Sequence, residues 1–264
     1  SLIACAWTSS LMDSLGDELY EALRSRTTVE PLIARYPELS IEDAYYISRR
    51  ILTRREADGE KLIGKKIGVT SPAVQDMLGV HQPDFGYLTD AMVFEREMPI
   101  SKLLIQPRAE GEIAFTLASR LEGPGVTPQQ VLAATLTVHP CFEVVDSRIR
   151  DWKIGIVDTI ADNASSGLFV VGPGVSPEGV DFEGCEMVVH KNGAVLSRGL
   201  GSAALGSPLN AVAWLANTLG EFGVSLEAGE VILSGSLVPL EPVAAGDHMH
   251  VSIAGIGDTE VFFT

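Results

Sequence analysis

The amino-acid sequence predicts an α+β protein, in which a helical N-terminal section precedes a mainly β body that carries short helices on its outside. Apolar residues recur at helical spacing in residues 13–26 and again in residues 40–59. From residue 61 onward, short strand-like segments alternate with turns, and the 264 residues include 26 Gly and 14 Pro. Lys191-Asn192-Gly193 is the strongest hairpin signal in this second part.

The composition divides the chain into three parts. Residues 12–60 are the helical section, and residues 61–264 are one mainly β domain, because no repeat, low-complexity segment or linker follows residue 60. Residues 1–11 are mildly apolar but lack the charged start of a signal peptide, and Met12 resembles a natural first residue. We therefore expect residues 1–11 to be a cloning remnant or disordered.

Two helices make up the predicted N-terminal section. Leucines at helical spacing indicate the first helix, over residues 13–26. The second helix begins at Ser40, which forms an approximate capping box with Asp43, and it ends at Gly59.

The β body begins with a strand over residues 61–69 that carries two adjacent lysines. Lys65 and Lys66 point to opposite faces of this strand, and we expect Lys65 to be solvated. A short helix follows over residues 71–78, because a Ser-Pro pair is a favourable helix start.

Two polar segments are predicted to be loops. Residues 79–86 contain Asp84, for which a turn-forming role after Pro83 is the alternative to a functional role. Residues 146–166 are polar and show neither the helical nor the strand period. They either line a site or form a mobile surface loop.

The strand over residues 106–117 carries the most informative pair of side chains. Glu110 and Glu112 point to the same side, because side chains alternate along a strand. Two adjacent carboxylates repel each other, and one stays protonated unless a cation lies between them. Hard divalent ions such as Mg²⁺ and Mn²⁺ prefer carboxylate oxygens. A solvated strand edge is the alternative, and these residues alone favour neither interpretation.

The remaining predicted elements complete the β body. A helix with a Thr-Pro start covers residues 127–134, and the strand that follows it, over residues 138–145, carries Glu143. The later elements are a strand at 168–171, a hairpin at 187–195, a helix at 207–219, a strand at 231–233 and closing strands at 249–253 and 259–263.

The overall charge and the cysteine content exclude several classes of protein. The formal net charge is −16, from 19 basic and 35 acidic residues, which argues against nucleic-acid binding. An anionic substrate would therefore need a metal, Lys or Arg close to it.

The three cysteines are widely spaced and form neither a metal motif nor a disulfide framework, which is typical of the reducing cytoplasm. No segment reaches the apolar length of a membrane span.

Six segments carry a resemblance to a known family: IGKKIGVT (63–70), GVHQPDFG (79–86), QPRAEGE (106–112), FEVVDSR (142–148), ADNASS (161–166) and LSGSL (233–237). In this order they resemble the 2-hydroxypenta-2,4-dienoate hydratases, or 2-keto-4-pentenoate hydratases, of the hydratase/decarboxylase family in the fumarylacetoacetate hydrolase superfamily. The resemblance runs from about Met12 to the C-terminus. It implies mixed, strongly curved sheets like the C-terminal domain of fumarylacetoacetate hydrolase, with residues 61–264 as the catalytic domain.

The resemblance implies a divalent metal, Mg²⁺ or Mn²⁺, held by Glu110, Glu112 and Glu143. Three carboxylates around one divalent ion leave a net negative charge, so an anionic 2-oxo acid would need a nearby cation. Candidates for that cation are Lys66, Arg108 and Arg148. For Glu143 the alternative is a salt bridge to Arg148 at the end of a buried strand.

The resemblance also implies residues for proton transfer and substrate binding. Lys66 and Asp84 are implied in proton transfer, while Lys66, Arg108 and Ser165 are implied in binding the substrate. For Ser165 a local bond to the backbone is the alternative. None of the five histidines is assigned as a ligand, and Cys141 is expected to pack rather than react.

The activity implied by the resemblance is hydration of 2-hydroxypenta-2,4-dienoate to 4-hydroxy-2-oxopentanoate in aromatic meta-cleavage catabolism. It implies a cytoplasmic, pentamer-based homo-oligomer that associates with the pathway decarboxylase. The sister activity, decarboxylation of 2-oxo-3-hexenedioate (4-oxalocrotonate), is the first alternative. Hydrolysis of a C–C bond would need a His–Glu pair, which the sequence does not reveal. A non-catalytic scaffold subunit would be expected to have substituted metal ligands, whereas all three acids are intact.

Overall fold

The computed structural model describes residues 2–264, with side chains from Ser9 onward. We expected residues 1–11 to be a cloning remnant or disordered. Part of that segment, namely Ser1 and the side chains of residues 1–8, lies outside the described residues. The origin of this segment and the division of the chain at residue 60 stay predictions.

The α-helices are α1 (Leu2–Ser25), α2 (Leu32–Arg35), α3 (Ile41–Ala57), α4 (Pro72–Leu78), α5 (Ile100–Leu103), α6 (Pro128–Ala134), α7 (Ile156–Ala161) and α8 (Pro208–Glu221).

Thirteen strands in the described chain form two sheets. The strands are β1 (Leu62–Gly68), β2 (Asp84–Thr89), β3 (Val93–Phe94), β4 (Glu97–Met98), β5 (Arg108–Leu117), β6 (Thr135–Val145), β7 (Leu168–Val171), β8 (Glu186–Lys191), β9 (Ala194–Leu200), β10 (Val231–Ser236), β11 (Glu241–Pro242), β12 (His248–Ile253) and β13 (Gly257–Phe263). The predicted α+β class is confirmed by this combination of helices and mixed sheets.

Local polar residues set the helix starts that the sequence predicts. The side chains of Ser40, Ser71, Thr127 and Ser207 each accept a hydrogen bond from a backbone N–H in the first turn of the helix that follows. Gly79 ends α4 in the left-handed conformation, with φ of 70°. Asn192 and Gly193 both have positive φ and join β8 to β9 in the predicted hairpin.

The larger sheet has eight strands, in the order β2-β1-β10-β5-β6-β7-β3, with β11 pairing beside β5. It is mixed, because β1 runs parallel to β10 and β3 to β7, while the other neighbours are antiparallel. The smaller sheet has the order β4-β13-β12-β8-β9.

The larger sheet curls strongly. Lys66 on β1 and Glu143 on β6 belong to strands three positions apart, which a flat sheet would hold about 14 Å apart. Nevertheless Lys66 Nζ lies 2.8 Å from Glu143 Oε1. The two side chains therefore meet across a concave face, and β10 and β5 lie beneath them.

The smaller sheet covers the opposite face of β5. A Cβ atom added to Gly111 would lie 2.5 Å from Met187 Sδ of β8. Because Gly111 points away from Glu110 and Glu112, this close packing leaves the glutamates on the concave face. The convex face is thus closed by a second sheet, and the concave face is available for a site.

Three sequence predictions about these segments are wrong. Asp84 does not lie in a loop but begins β2, whose six residues are all buried. Lys65 is not solvated: it is 2% exposed and its Nζ lies 2.5 Å from Glu230 Oε1. Residues 146–166 were expected to be a loop that lines a site, with a mobile surface loop as the alternative; the loop assignment is wrong at α7, and the surface alternative is wrong because the segment is mostly buried. Lys65 and Asp146 find partners that are distant in sequence, namely Glu230 for the lysine and the backbone of residues 105 and 106 for the aspartate.

Across the described residues, every helix is too short or too polar to span a lipid bilayer.

Substitution of Glu230 by Gln is expected to destabilise the protein, because the buried Lys65 charge would lose its counter-ion. The free energy of unfolding should fall by about 3 kcal/mol, measured by urea denaturation. Glu186→Gln is the matched control: Glu186 pairs with Arg198 at the surface, and its loss should cost under about 1 kcal/mol. Equal costs for the two variants would contradict the importance of the Lys65–Glu230 pair.

Candidate active site

Three glutamates converge on the concave face of the larger sheet. Glu110 and Glu143 are direct cross-strand partners on β5 and β6, and Glu112 lies two residues further along β5 on the same side. Each glutamate offers an oxygen within 4.8 Å of the oxygens offered by the other two. Glu112 and Glu143 are almost completely buried, and Glu110 is half-buried.

A backbone irregularity orients Glu112. The pairing of β10 with β5 shifts between Leu233 and Ser236, and within this bulge Gly235 N donates a 2.8 Å hydrogen bond to Glu112 Oε1. Gly235 has φ of 110°, and a Cβ atom there would lie 2.5 Å from Thr70 Oγ1. Glycine is therefore required at this position by both conformation and space.

The glutamates present a donor set that fits a hard divalent cation. Glu112 Oε2 and Glu143 Oε2 are buried and accept no hydrogen bond within the described chain, which is costly unless a cation completes the site. Mg²⁺, Mn²⁺ and Ca²⁺ all prefer such carboxylate oxygens.

Burial and mutual repulsion oppose ionisation of these carboxyls. Burial raises the pKa of Glu110 from its usual 4.5 to about 7, and the charge of Glu143 adds to this effect. Burial and the charges of Glu143 and Glu110 raise the pKa of Glu112 well above its usual range. In the metal-free protein the cluster therefore retains protons that a divalent ion would displace.

Lys66 supplies the positive charge next to the cluster. Its Nζ forms an ion pair with Glu143 Oε1 at 2.8 Å, without the alignment of a hydrogen bond, and donates a 2.7 Å hydrogen bond to Ala164 O. Burial alone would lower the pKa of Lys66, but the charges of Glu143, Asp84 and Glu110 raise it above its usual value. Lys66 is thus held in its charged form.

Asp84 lies beside Lys66 on the neighbouring strand. A Cβ atom added to Gly68 would lie 2.5 Å from Asp84 Oδ1 and 3.4 Å from Lys66 Nζ, so both side chains converge on the space above Gly68. Asp84 is 1% exposed, and its Oδ1 accepts no hydrogen bond from the part of the chain that the structure describes. Burial raises the pKa of Asp84 to about 6, against the opposing charge of Lys66. A carboxyl with such a pKa can exchange a proton near neutral pH.

An open pocket of about 460 Å³ lies at the edge of this face, beyond Glu110. Arg108 points to the same side of β5 as Glu110, and its guanidinium stacks 4.6 Å from the centre of the Trp152 ring. The glutamates lie deeper and do not line the pocket, whose walls are Gln106, Pro107, Arg108, Asp151, Trp152, Pro242 and Val243.

Comparison with known proteins identifies the family. A family model described as "Fumarylacetoacetate (FAA) hydrolase C-terminal" matches residues 75–262. The chain belongs to the fumarylacetoacetate hydrolase family.

Two relatives and one solved structure each match at least 82% of this chain and at least 97% of their own length. A 2-hydroxyhexa-2,4-dienoate hydratase of Comamonas testosteroni is 58% identical over 96% of this chain and 97% of its own length. A 2-hydroxypent-2,4-dienoate hydratase of Pseudomonas putida is 67% identical over 82% of this chain and 99% of its own. A 4-oxalocrotonate decarboxylase of Pseudomonas putida G7, solved with magnesium and adipate, is 36% identical, with a TM-score of 0.93 over 97% of this chain and 98% of its own.

In this member of the fumarylacetoacetate hydrolase family, Arg148 is not available to a ligand. Its Nε donates to Asp162 Oδ1 at 2.7 Å, and its other nitrogens donate to Ser166 O and Asp162 O. The alternative of a salt bridge between Glu143 and Arg148 is wrong, because Glu143 pairs with Lys66. Arg148 instead stabilises the buried segment after β6 through its hydrogen bonds to Asp162 and Ser166.

Ser165 lies within the same buried segment. It is 4% exposed, and its Oγ shares a 2.8 Å hydrogen bond with Thr159 Oγ1.

Cys141 is buried and lies directly opposite Glu112 in the strand register. Burial raises the pKa of its thiol well above the usual range, so a reactive thiolate is not favoured.

Sequence reasoning missed the residues that support these side chains. Gly235 had a visible signal, since a glycine inside a strand pattern often marks a bulge. Trp152 and Ala164 carried no local signal, because their roles depend on Arg108 and Lys66 from distant strands.

Stabilisation by Mg²⁺ is expected to increase with pH. Without metal, the raised pKa of Glu110 means that the folded state binds more protons than the unfolded state between pH 4.5 and about 7. The contribution of this group to stability therefore falls as pH rises through that window. Mg²⁺ binds the deprotonated acids, so the rise in melting temperature that it causes should be larger at pH 8 than at pH 5.

This pH dependence can be measured by thermal denaturation in EDTA and in Mg²⁺. The variant Glu110→Gln/Glu112→Gln is the control and should show no stabilisation by Mg²⁺ at either pH. An equal effect of Mg²⁺ at both pH values in the wild-type protein would contradict the predicted protonation of the cluster.

Proposed function

We propose that this protein is a metal-dependent hydratase that converts 2-hydroxypenta-2,4-dienoate into 4-hydroxy-2-oxopentanoate in aromatic meta-cleavage catabolism. The observation that supports this most strongly is the cluster of Glu110, Glu112 and Glu143 beside the buried pair of Lys66 and Asp84. The names of the two hydratase relatives support hydration of a 2-hydroxydienoate, with the five-carbon substrate in one name and the six-carbon substrate in the other.

Glu110, Glu112 and Glu143 would hold the divalent ion, which we propose to be Mg²⁺ or Mn²⁺. When bound, the ion supplies Lewis acidity to the oxygens of a 2-oxo acid. The charge of the three acids together exceeds that of one divalent ion, so the floor of the site keeps a net negative charge. Lys66 offsets part of this charge and is placed to attract an anionic substrate.

Lys66 and Asp84 are the proposed proton-transfer residues. Ketonisation removes the proton of the C2 enol and adds a proton at C5, which gives 2-oxopent-3-enoate. Water then adds across the C3–C4 double bond, its oxygen to C4 and a proton to C3. Asp84, with a pKa of about 6, is suited to accept a proton from water and return one to carbon. Lys66 assists these proton transfers without giving up its own proton, as a fixed positive charge that stabilises the developing negative charge.

Arg108 is the proposed contact for the outer part of the substrate, and Ser165 is proposed to contact its carboxylate. The pocket at Arg108 has walls of Trp152, Pro242 and Val243, with a single acid, Asp151. Asp151 offsets the charge of Arg108, so the pocket has no excess of positive charge for a second carboxylate. This favours an alkyl dienoate over the dicarboxylate of the decarboxylase.

Assembly and location are part of the same proposal. We propose a cytoplasmic, pentamer-based homo-oligomer that associates with the pathway decarboxylase. Exposed apolar side chains on the edge strand β9, including Val195 and Leu200, are suited to a protein interface. Cys141 and Cys185 are free thiols, as expected in a reducing compartment.

Loss of the dienol absorbance, followed with and without EDTA, tests the proposed activity. The wild-type protein should turn over 2-hydroxypenta-2,4-dienoate only with Mg²⁺ or Mn²⁺, and Glu112→Gln should lose both turnover and metal dependence. The six-carbon diacid should give little CO₂. Undiminished turnover after rigorous metal removal, or CO₂ release as the faster reaction, would contradict the proposal.

Asp84→Asn should lower kcat roughly 10²–10⁴-fold, because general acid–base help of this size would be lost. The matched control is Asp146→Asn, since Asp146 is equally buried but accepts hydrogen bonds from the backbone of Ile105 and Gln106. That variant should lose stability more than Asp84→Asn does. Normal turnover by folded Asp84→Asn protein would remove Asp84 from the mechanism.

A further inference from the structure

Three consecutive residues after α7 adopt the left-handed backbone conformation. Asn163, Ala164 and Ser165 have φ of 54°, 52° and 55°. Residues with a Cβ rarely enter this region, and a run of three is exceptional. All three are buried. A conformation of this kind persists only where the surrounding structure holds it, and it often marks a functional position.

Asn163 attaches this left-handed turn to β2. Its side-chain oxygen accepts a 2.7 Å hydrogen bond from Tyr87 N, and its side-chain nitrogen donates a 2.9 Å hydrogen bond to Tyr87 O. The backbone of the turn packs directly on the strand beside it, because a Cβ atom added to Gly86 would lie 2.5 Å from Asn163 O. Gly86 does not have a positive φ. Glycine is needed at this position only because a side chain would collide with the backbone of the turn.

A carbonyl group of the turn binds the ammonium group of Lys66. Ala164 O accepts the 2.7 Å hydrogen bond from Lys66 Nζ, and Lys66 is the cross-strand partner of Gly86. Within the described residues this is the one hydrogen bond of Lys66 Nζ, the contact with Glu143 being an ion pair without hydrogen-bond alignment. A lysine side chain is long and flexible and its charge has no preferred direction, so the Ala164 carbonyl, together with the Glu143 carboxylate, determines where the ammonium group lies.

We propose that the left-handed turn Asn163–Ser165 is a positioning element for Lys66, and that Asn163 is the positioning residue that keeps it in place. This inference rests on the proposed function and adds a residue to it. Without the two bonds to Tyr87, the turn relaxes towards the favoured right-handed region and the Ala164 carbonyl rotates away. Lys66 then loses its fixed position over the space it shares with Asp84.

Asn163→Ala and Asn163→Gly test the inference in kinetic assays of the Mg²⁺-loaded protein. Both remove the bonds to Tyr87, while the glycine variant also removes the steric cost of positive φ. We expect kcat to fall roughly 10²-fold in both, because a displacement of about 1 Å in a reacting group can cost this much. KM should rise by a smaller factor than kcat falls, since Lys66 also attracts the anionic substrate while the glutamates that hold the metal are untouched.

Asn217→Ala is the matched control. Asn217 on α8 makes the same pair of bonds to one backbone unit, accepting from Val126 N at 2.8 Å and donating to Val126 O at 3.0 Å. This variant should lose stability without loss of kcat. If Asn163→Ala loses no more kcat than Asn217→Ala, Asn163 has only a structural role and the inference fails.

A further variant changes the turn by other means. Gly86→Ala should displace it sterically and lower kcat as Asn163→Ala does, although Asn163 is intact. A fully active Gly86→Ala protein would contradict the inference.

Crystal structures of the Mg²⁺-loaded wild type and Asn163→Ala separate failure of the inference from failure of the proposed function. The distance from Lys66 Nζ to the carbonyl oxygen of residue 164 should rise from 2.7 Å to beyond hydrogen-bonding range in the variant. That result supports the positioning role even if the wild type does not hydrate the dienoate. An unchanged distance overturns the inference, whatever reaction the protein catalyses.

Discussion

Repulsion among buried carboxylates is the constraint on which the rest of this structure depends. Glu110, Glu112 and Glu143 lie together on a concave face, with Asp84 close by, and among the described residues Lys66 is the one ammonium group that meets them there. Such a cluster is unstable in its fully ionised form at low dielectric constant. It is compatible with a folded protein if the acids keep protons, as their raised pKa values indicate, or if a divalent cation replaces those protons.

The curl of the larger sheet brings these groups into contact. Lys66 and Glu143 come from strands that a flat sheet would separate by about 14 Å, yet they form an ion pair. The smaller sheet supports the curl from outside, and its close contact at Gly111 requires the absence of a side chain. The concave face thus concentrates charge, while the apolar contacts that stabilise the fold lie behind it and around it.

Around the charged groups, irregular backbone supplies the hydrogen bonds. A bulge at Gly235 presents an N–H group to Glu112, and a left-handed turn presents the carbonyl of Ala164 to Lys66. Both features are unfavourable in isolation. They persist because each is held by neighbours that belong to other strands, and they orient side chains that regular strands would leave free to rotate.

The sequence by itself determined the features that depend on residues a few positions apart. Helix caps at Ser40 and Ser71 and the hairpin at Asn192 were predicted correctly, because capping and turn formation are local interactions. Strand alternation likewise placed Glu110 and Glu112 on one side, where a cation between them and a solvated strand edge were the two interpretations left open. The family resemblance added Glu143, Lys66 and Asp84 as candidates.

Only the tertiary structure decided which charges became partners. Lys65 is buried against Glu230 rather than solvated, Arg148 is bound to Asp162 rather than to Glu143, and Asp84 lies in a buried strand rather than a turn. These pairings depend on the curl and register of the sheet, which bring distant residues together. The free energy of a buried charge depends on its nearest partner in space, and the spacing of residues along the chain does not specify that partner.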